Sequence, residues 1–175
     1  MKKLAIWAPF VLFLIFVGVV ARGLIQPGGR VVRSALVGKP LPVFTLPAAT
    51  KGVRGLNTAD LAMGQPRLLN IFASWCIPCI AEAPVLLELK AKGVAIDAIA
   101  IRDTPQDVAR FLARNGNPYQ RIGSDVTSAV QLALGSSGVP ESYVVDGKGV
   151  IRYQHVGDIR SEDVPMILDQ MEVAR

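Results

Sequence analysis

Hydrophobic and polar positions along residues 43–175 predict strands that alternate with helices. Short apolar runs predict strands at 43–46, 67–73, 94–101, 142–145 and 150–155. Apolar residues at steps of three and four predict helices at 77–92, 106–115, 128–134 and 162–173, the last with Ser161 as its N-cap. Residues 146–149 (DGKG) have the composition of a hairpin turn between the last two strands. This order predicts an α/β domain with a mixed central sheet and helices on both faces.

The N-terminal pattern differs, because residues 4–21 form an uncharged apolar run of 18 residues after Lys2 and Lys3. A helix of this length is just sufficient to cross the ~30 Å hydrocarbon core of a bilayer. A cleaved signal peptide is the alternative, because residues 19–21 loosely resemble a small-residue cleavage site. The length of the run favours a retained anchor. We therefore expect a transmembrane signal-anchor at 1–22, a Gly-, Pro- and Arg-rich tether at 23–42 and one domain at 43–175.

The net charge of +5 arises from the first 33 residues. The excess basic residues there are Lys2, Lys3, Arg22, Arg30 and Arg33, and they leave 14 Lys and Arg against 14 Asp and Glu in the rest of the chain. A balanced domain of this kind does not suggest a nucleic-acid partner, whereas basic residues beside an apolar segment suit anionic lipid headgroups.

The only two cysteines, Cys76 and Cys79, lie in the stretch ASWCIPCIAEAP. A structural zinc site needs about four ligands, and the single histidine, His155, lies far along the chain. Covalent haem attachment needs a histidine directly after the second cysteine, where Ile80 stands. A purely structural disulfide across two residues would remove little entropy from the unfolded chain. A redox-active pair is the interpretation that the spacing favours.

The predicted elements place this pair between a buried strand and the start of a helix. Cys76 would lie at the helix N-terminus, where unpaired N–H groups and the helix dipole favour a thiolate. Pro78 is tolerated in the first turn because its missing N–H has no helical partner there. We therefore expect Cys76 to be the attacking thiol and Cys79, one turn further in, to be the resolving thiol.

Two segments of the sequence resemble a known family. They are RLLNIFASWCIPC, at 67–79, and GSSGVPESYVVDGKGVIRYQHVGD, at 135–158. Together they are similar to the thioredoxin superfamily, and within it to the membrane-anchored thiol:disulfide interchange proteins of cytochrome c biogenesis, the CcmG or DsbE type. The resemblance covers about residues 37–170. It implies a thioredoxin-like fold and a redox-active Cys76–Cys79 disulfide, with no other cofactor and no metal.

The resemblance also implies roles for four further residues. Pro140 matches the cis-proline that faces the active-site cysteines, and Trp75 matches the partly exposed aromatic beside the nucleophile. Glu82 and Glu141 match the acidic residues of the family's site. Negative charge near Cys76 opposes thiolate formation and lowers the reduction potential, so the acids predict a reductant.

Other positions carry weaker predictions. We expect a structural or surface role for His155, with no partner cysteine or carboxylate. Asp103 follows a buried strand, at the sheet edge where the site is expected. Ser136 and Ser137 stand where the resembled proteins often have a larger residue, and Ser142–Tyr143 stands where Thr-Phe is usual. These departures affect the substrate groove more than the mechanism.

The resemblance implies a single-pass protein of the bacterial inner membrane, with its catalytic domain in the periplasm. It would reduce apocytochrome c cysteines before haem attachment, together with other cytochrome c maturation components, and a membrane thiol reductase would supply the electrons. One alternative is a general extracytoplasmic disulfide oxidant or isomerase. Another is a non-catalytic module that binds apocytochrome.

Overall fold

The computed structural model of the chain describes residues 2–25 and 35–175, apart from the side chains of residues 2–6, 8 and 23–25. The chain divides into two compact units, Met1–Val31 and Val32–Arg175. In the first unit, helix α1 spans Lys2–Ile25. None of the helices in the described ranges meets the length and apolar character required to cross a membrane. The part of the expected tether at residues 26–34 lies outside the described residues.

The second unit is built on a mixed sheet, as the sequence pattern predicts, and this sheet has five strands. Its strands are β3 (Arg67–Phe72), β4 (Ile96–Ile101), β5 (Ile122–Asp125), β6 (Glu141–Val145) and β7 (Ile151–Val156), after a small antiparallel pair, β1 (Thr45–Leu46) and β2 (Leu56–Asn57). The spatial order is β5-β4-β3-β6-β7. β3, β4 and β5 run parallel, and β6 and β7 are antiparallel to their neighbours. All residues of β3 and β4 are buried, so these strands form the centre of the core.

Four helices follow in this unit. They are α2 (Ile77–Ala91), α3 (Pro105–Asn115), α4 (Ala129–Ala133) and α5 (Val164–Val173). The β3-α2-β4 and β4-α3-β5 connections cross the sheet in the same direction, so the right-handed crossover rule places α2 and α3 on one face. The ring of Phe72 on β3 lies 5.2 Å from that of Phe111 on α3, which agrees with this placement.

The predicted strands and helices are all present, with ends that differ by one or two residues. The sequence pattern missed β2 and β5. At Gly123 in β5, an added Cβ would lie 2.7 Å from the Cβ of Leu46, so glycine allows β1 and β2 to pack closely on this strand.

The prediction of Ser161 as the N-cap of the last helix was wrong. Ser161 instead begins a 3-10 turn, Ser161–Asp163, and α5 starts at Val164. Pro165 gives the reason, because an α-helix capped by Ser161 would need its first hydrogen bond from the nitrogen of residue 165. Proline has no N–H to donate and is tolerated only in the first turn.

A buried ion pair joins β3 to β4 at their N-terminal ends. The Arg67 guanidinium donates to the fully buried carboxylate of Asp97 and, at 2.7 Å, to the side-chain oxygen of Gln120. Arg121 approaches the other oxygen of Asp97 at 3.8 Å. A buried carboxylate depends on such partners, because its desolvation is costly when it is left alone.

We predict that Arg67→Met destabilises the protein by about 3 kcal/mol, because it leaves the Asp97 charge buried with only the more distant Arg121. Urea denaturation measures the free energy of unfolding. The control is Arg175→Met, which removes an exposed pair with Glu172 and should cost less than about 1 kcal/mol. Equal losses in the two variants would contradict a structural role for the buried pair.

Candidate active site

Cys76 and Cys79 form a disulfide between the end of β3 and the start of α2, with Cα atoms 5.3 Å apart. Cys76 is the N-cap of α2, and its sulfur accepts a hydrogen bond of 3.2 Å from the backbone N–H of Cys79. Pro78 lies in the first turn, as the sequence predicts. The exposed fraction is 5% for Cys76 and 1% for Cys79. Cys76 is therefore the more exposed residue of the two, and its sulfur lies where helix N–H groups stabilise a thiolate.

Trp75 is 57% exposed directly before Cys76, and its indole N–H makes a long hydrogen bond of 3.4 Å to the carbonyl oxygen of Arg102. Arg102 follows β4 and has a positive φ of 50°, an uncommon conformation for a residue with a side chain. Its guanidinium Nε donates to the hydroxyl oxygen of Ser128 at 3.1 Å. The loop after β4 thus supports the aromatic side chain beside the nucleophile.

Asp103 lies at the sheet edge where the sequence places it, and it holds the turn that leads to the cysteines. One carboxylate oxygen accepts from the backbone N–H of Ser74 at 2.7 Å, and the other accepts from the Ser74 hydroxyl at 2.5 Å. The sequence contained no signal for Ser74, because a serine before a tryptophan is ordinary in a loop. The pair joins the C-terminal ends of β3 and β4 directly before Trp75.

Glu82 is buried one turn after Cys79 on the same side of α2, where only 1% of its surface is exposed. Its carboxylate accepts from the side-chain amide of Asn70 at 3.0 Å and from the backbone N–H of Ile159 at 3.1 Å. Burial raises the pKa of Glu82 to about 7, and the negative charge of Asp158 adds to this, whereas the two hydrogen bonds oppose it. The group therefore gains or loses a proton near neutral pH.

Asn70 connects Glu82 to its surroundings. Its amide nitrogen also donates to the Ser142 hydroxyl at 3.0 Å, and its oxygen accepts from the hydroxyl of Tyr119 at 2.9 Å. Burial, with the negative charge of Glu82, raises the pKa of Tyr119 well above its usual value, so Tyr119 remains a donor. Sequence reasoning missed Asn70, although a polar residue within the apolar strand RLLNIF was the available signal.

Pro140 follows a cis peptide bond with Val139. Ile71 on β3 pairs with Glu141 on the antiparallel strand β6. Because Pro140 directly precedes Glu141, it lies at the end of the sheet where β3 leads to the cysteines. The carbonyl oxygen of Pro140 accepts from the backbone N–H of Gly157 at 3.0 Å. Pro140, which the resemblance matches to the family's cis-proline, thus lies at the same end of the sheet as the disulfide.

Glu141 lies next in the chain, and its carboxylate is fully buried among hydrogen-bond donors. Hydrogen bonds reach it from the hydroxyls of Ser136 at 3.0 Å and Ser137 at 3.3 Å, from the Ser137 N–H at 3.0 Å, from the Tyr143 hydroxyl at 2.5 Å and from the amide of Gln154. The match of Glu141 to the acidic residues of the family's site stays a prediction, and the structure adds these hydrogen bonds to it. Its carboxylate anchors the loop that leads into the cis peptide bond.

His155 does have a carboxylate neighbour, contrary to the expectation from the sequence. Its Nε2 lies 3.9 Å from an Asp163 oxygen and 3.2 Å from the carbonyl oxygen of Asp158. Pairing of β6 with β7 places His155 opposite Ser142. The contacts are with the segment before α5, which fits a structural role.

We predict that the stability of the oxidised protein depends on pH through Glu82. The folded-state pKa is about 7, above the value of 4.5 that is ordinary for a glutamate, so the folded protein binds this proton more tightly than the unfolded chain. The associated stabilisation is present below pH ~4.5 and is lost as the pH rises to ~7, about 3 kcal/mol in total. Urea denaturation between pH 4 and about 8 should show this loss in the wild type but not in Glu82→Gln.

The matched control is Glu88→Gln, which changes a half-exposed carboxylate on the same helix. This variant should keep the pH dependence of the wild type. A wild-type profile parallel to that of Glu82→Gln would contradict the raised pKa.

Comparisons with known proteins identify the family of the chain. The Redoxin family model matches residues 36–170. The thiol:disulfide interchange protein DsbE of Pseudomonas fluorescens biotype C is 40% identical over 159 residues, which cover 91% of this chain and 88% of the relative. DsbE of Tatumella citrea is 36% identical over 166 residues, 93% and 90% of the two chains.

A solved structure, that of a putative thiol:disulfide interchange protein DsbE from Chlorobium tepidum, is 27% identical. It has a TM-score of 0.69 and covers 79% of this chain and 96% of its own. The fold is therefore thioredoxin-like, as the sequence resemblance implies. With the Cys76–Cys79 disulfide, these relatives make the protein a thiol:disulfide oxidoreductase. The chain belongs to the Redoxin family and, within it, to the thiol:disulfide interchange proteins of the DsbE type.

Proposed function

We propose that the protein is a reductant of disulfides in apocytochrome c, acting before haem attachment on the periplasmic side of the bacterial inner membrane. We infer the direction of electron flow from the buried Glu82, which lies one helical turn from Cys79 and has a pKa of about 7. The choice of apocytochrome c as substrate rests on the family resemblance.

The reaction begins from the reduced dithiol. The Cys76 thiolate attacks one sulfur of a substrate disulfide, a mixed disulfide forms, and the other substrate sulfur leaves as a thiolate. Cys79 then loses its proton and attacks the sulfur of Cys76, which releases the second substrate thiolate. Two electrons pass to the substrate, and the protein is left with the Cys76–Cys79 disulfide seen in the structure.

Glu82 shifts this exchange towards reduction of the substrate. When ionised, it places a negative charge one helical turn from Cys79 and opposes thiolate formation, so the reduced protein becomes a stronger donor. When Cys79 is deprotonated for the resolving step, the Glu82 carboxylate is a proton acceptor one turn away with a pKa near 7. Trp75 and Pro140 contribute the surface against which the substrate lies.

The oxidised protein needs a supply of electrons after each cycle. We propose a membrane thiol reductase as the donor and the Cys76–Cys79 dithiol as the only redox group that is required. A signal-anchor at residues 1–22 would hold the domain near that donor. The uncharged run of 18 residues at 4–21 and its exposed apolar side chains support this anchor.

We predict a reduction potential near that of thioredoxin, about −270 mV, rather than about −120 mV as in a strong oxidant. Glu82→Gln should raise the potential by about 20 to 30 mV, because the thiolate loses an opposing charge. Equilibration with glutathione or dithiothreitol at pH 7 measures both values, and Glu88→Gln is the control. A wild-type value near −120 mV would favour the alternative of a general oxidant or isomerase.

We also predict that Cys79→Ser accumulates a mixed disulfide with substrate, because no resolving thiol remains, whereas Cys76→Ser forms none. Non-reducing electrophoresis detects the adduct. Neither variant should restore cytochrome c assembly in a strain that lacks its own copy of the protein. Full restoration by Cys76→Ser would indicate instead a module that binds apocytochrome without catalysis.

A further inference from the structure

A cavity of about 540 Å³ opens between α2 and α3, next to the disulfide. Trp75 forms one wall, Ile80 on α2 forms another, and Phe111 on α3 contributes a third apolar surface. Trp75 and Ile80 are both more than 40% exposed. Because Trp75 directly precedes Cys76, this open apolar cavity is accessible to any polypeptide docked at Cys76.

Positively charged side chains outnumber negatively charged ones at this cavity. Asp107, Arg110 and Arg114 all lie on α3 and line it. Arg110 donates to Asp107, which also accepts from Thr104 at 2.5 Å, and these hydrogen bonds lower the pKa of Asp107, so the two charges offset one another. Arg114 is exposed, and the described part of the chain offers it no carboxylate partner. A net positive charge therefore remains beside the apolar walls.

We propose that this cavity is a docking subsite for an acidic, apolar segment of the polypeptide whose disulfide reacts at Cys76. An apolar or aromatic side chain of the substrate fills the space beside Trp75 and Phe111, and a carboxylate within a few residues pairs with Arg114. The inference rests on the proposed function, because it assumes a polypeptide disulfide as the substrate.

The position of the cavity suits such a segment. An extended chain advances by about 3.3 Å per residue, so a segment that begins at the substrate cysteine passes Trp75 within a few residues. Aromatic walls provide most of the contact energy at such sites, whereas charge complementarity improves the rate of association and the choice of partner. The subsite thus selects among substrates and leaves the exchange chemistry at Cys76 unchanged.

The test compares two synthetic peptides that carry the same intramolecular Cys-X-X-Cys disulfide, followed by a segment with one phenylalanine and either two glutamates or two lysines. The rate constant of their reduction by the reduced full-length protein is measured at low salt. Hydroxyethyl disulfide, which is too small to reach the cavity while it reacts, reports the intrinsic reactivity of Cys76. We expect the acidic peptide to react about tenfold faster than the basic peptide with the wild type.

Arg114→Glu should abolish or reverse this preference, Arg114→Gln should weaken it, and both should reduce hydroxyethyl disulfide at the wild-type rate. The control is Lys148→Glu, which introduces the same change of charge in the turn between β6 and β7, at the sheet edge opposite to Cys76. This variant should keep the preference. Replacing the peptide's phenylalanine by alanine should slow the acidic peptide.

Two results would overturn the subsite. The first is that the wild type reduces the two peptides at equal rates. The second is that Lys148→Glu loses the preference as much as Arg114→Glu does, because the overall charge of the domain would then explain the preference. In both cases reduction of the peptides themselves would leave the proposed function intact. A wild type that reduces hydroxyethyl disulfide but neither peptide would overturn the proposed function as well.

Discussion

Burial of the Glu82 carboxylate is the constraint on which the organisation of the site depends. A carboxylate in this position needs hydrogen-bond donors, and the chain supplies them from two separate places, Asn70 on β3 and the N–H of Ile159 before α5. These bonds connect three segments of the chain at the helical turn that follows Cys79. The same Asn70 amide reaches Ser142 on β6, which extends the connection to the strand that follows Pro140.

The outer part of the site is organised by a second set of contacts at the C-terminal ends of the parallel strands. Asp103 holds Ser74 through both carboxylate oxygens, and the carbonyl oxygen of Arg102 accepts from Trp75. Consecutive residues after β4 therefore hold consecutive residues before Cys76. The nucleophile is therefore positioned both by the start of α2 and by the loop after β4.

Much of this arrangement was predictable from the sequence. Long apolar runs and a strong turn composition predicted the central strands, the principal helices and the placement of the cysteines, because such patterns depend on local chemistry. β5 was missed because the strand is short, its four residues, IGSD, are half polar, and it forms through pairing with distant parts of the chain such as β4. Asn70 and Ser74 were missed for a related reason, since their partners lie 12 and 29 residues away.

The two glutamates show why residue type and spacing were insufficient for the electrostatics. Both are buried beside the same sheet edge, but Glu141 receives hydrogen bonds from four side chains and one backbone N–H, whereas Glu82 receives two. The donors to Glu141 tie its carboxylate to the loop at Ser136 and Ser137 and to the strands β6 and β7. Glu82, with few donors in a buried position, has a pKa near neutrality and can exchange a proton. The proton-dependent role of Glu82 thus follows from its burial, and the anchoring role of Glu141 follows from its partners, neither of which residue type and spacing reveal.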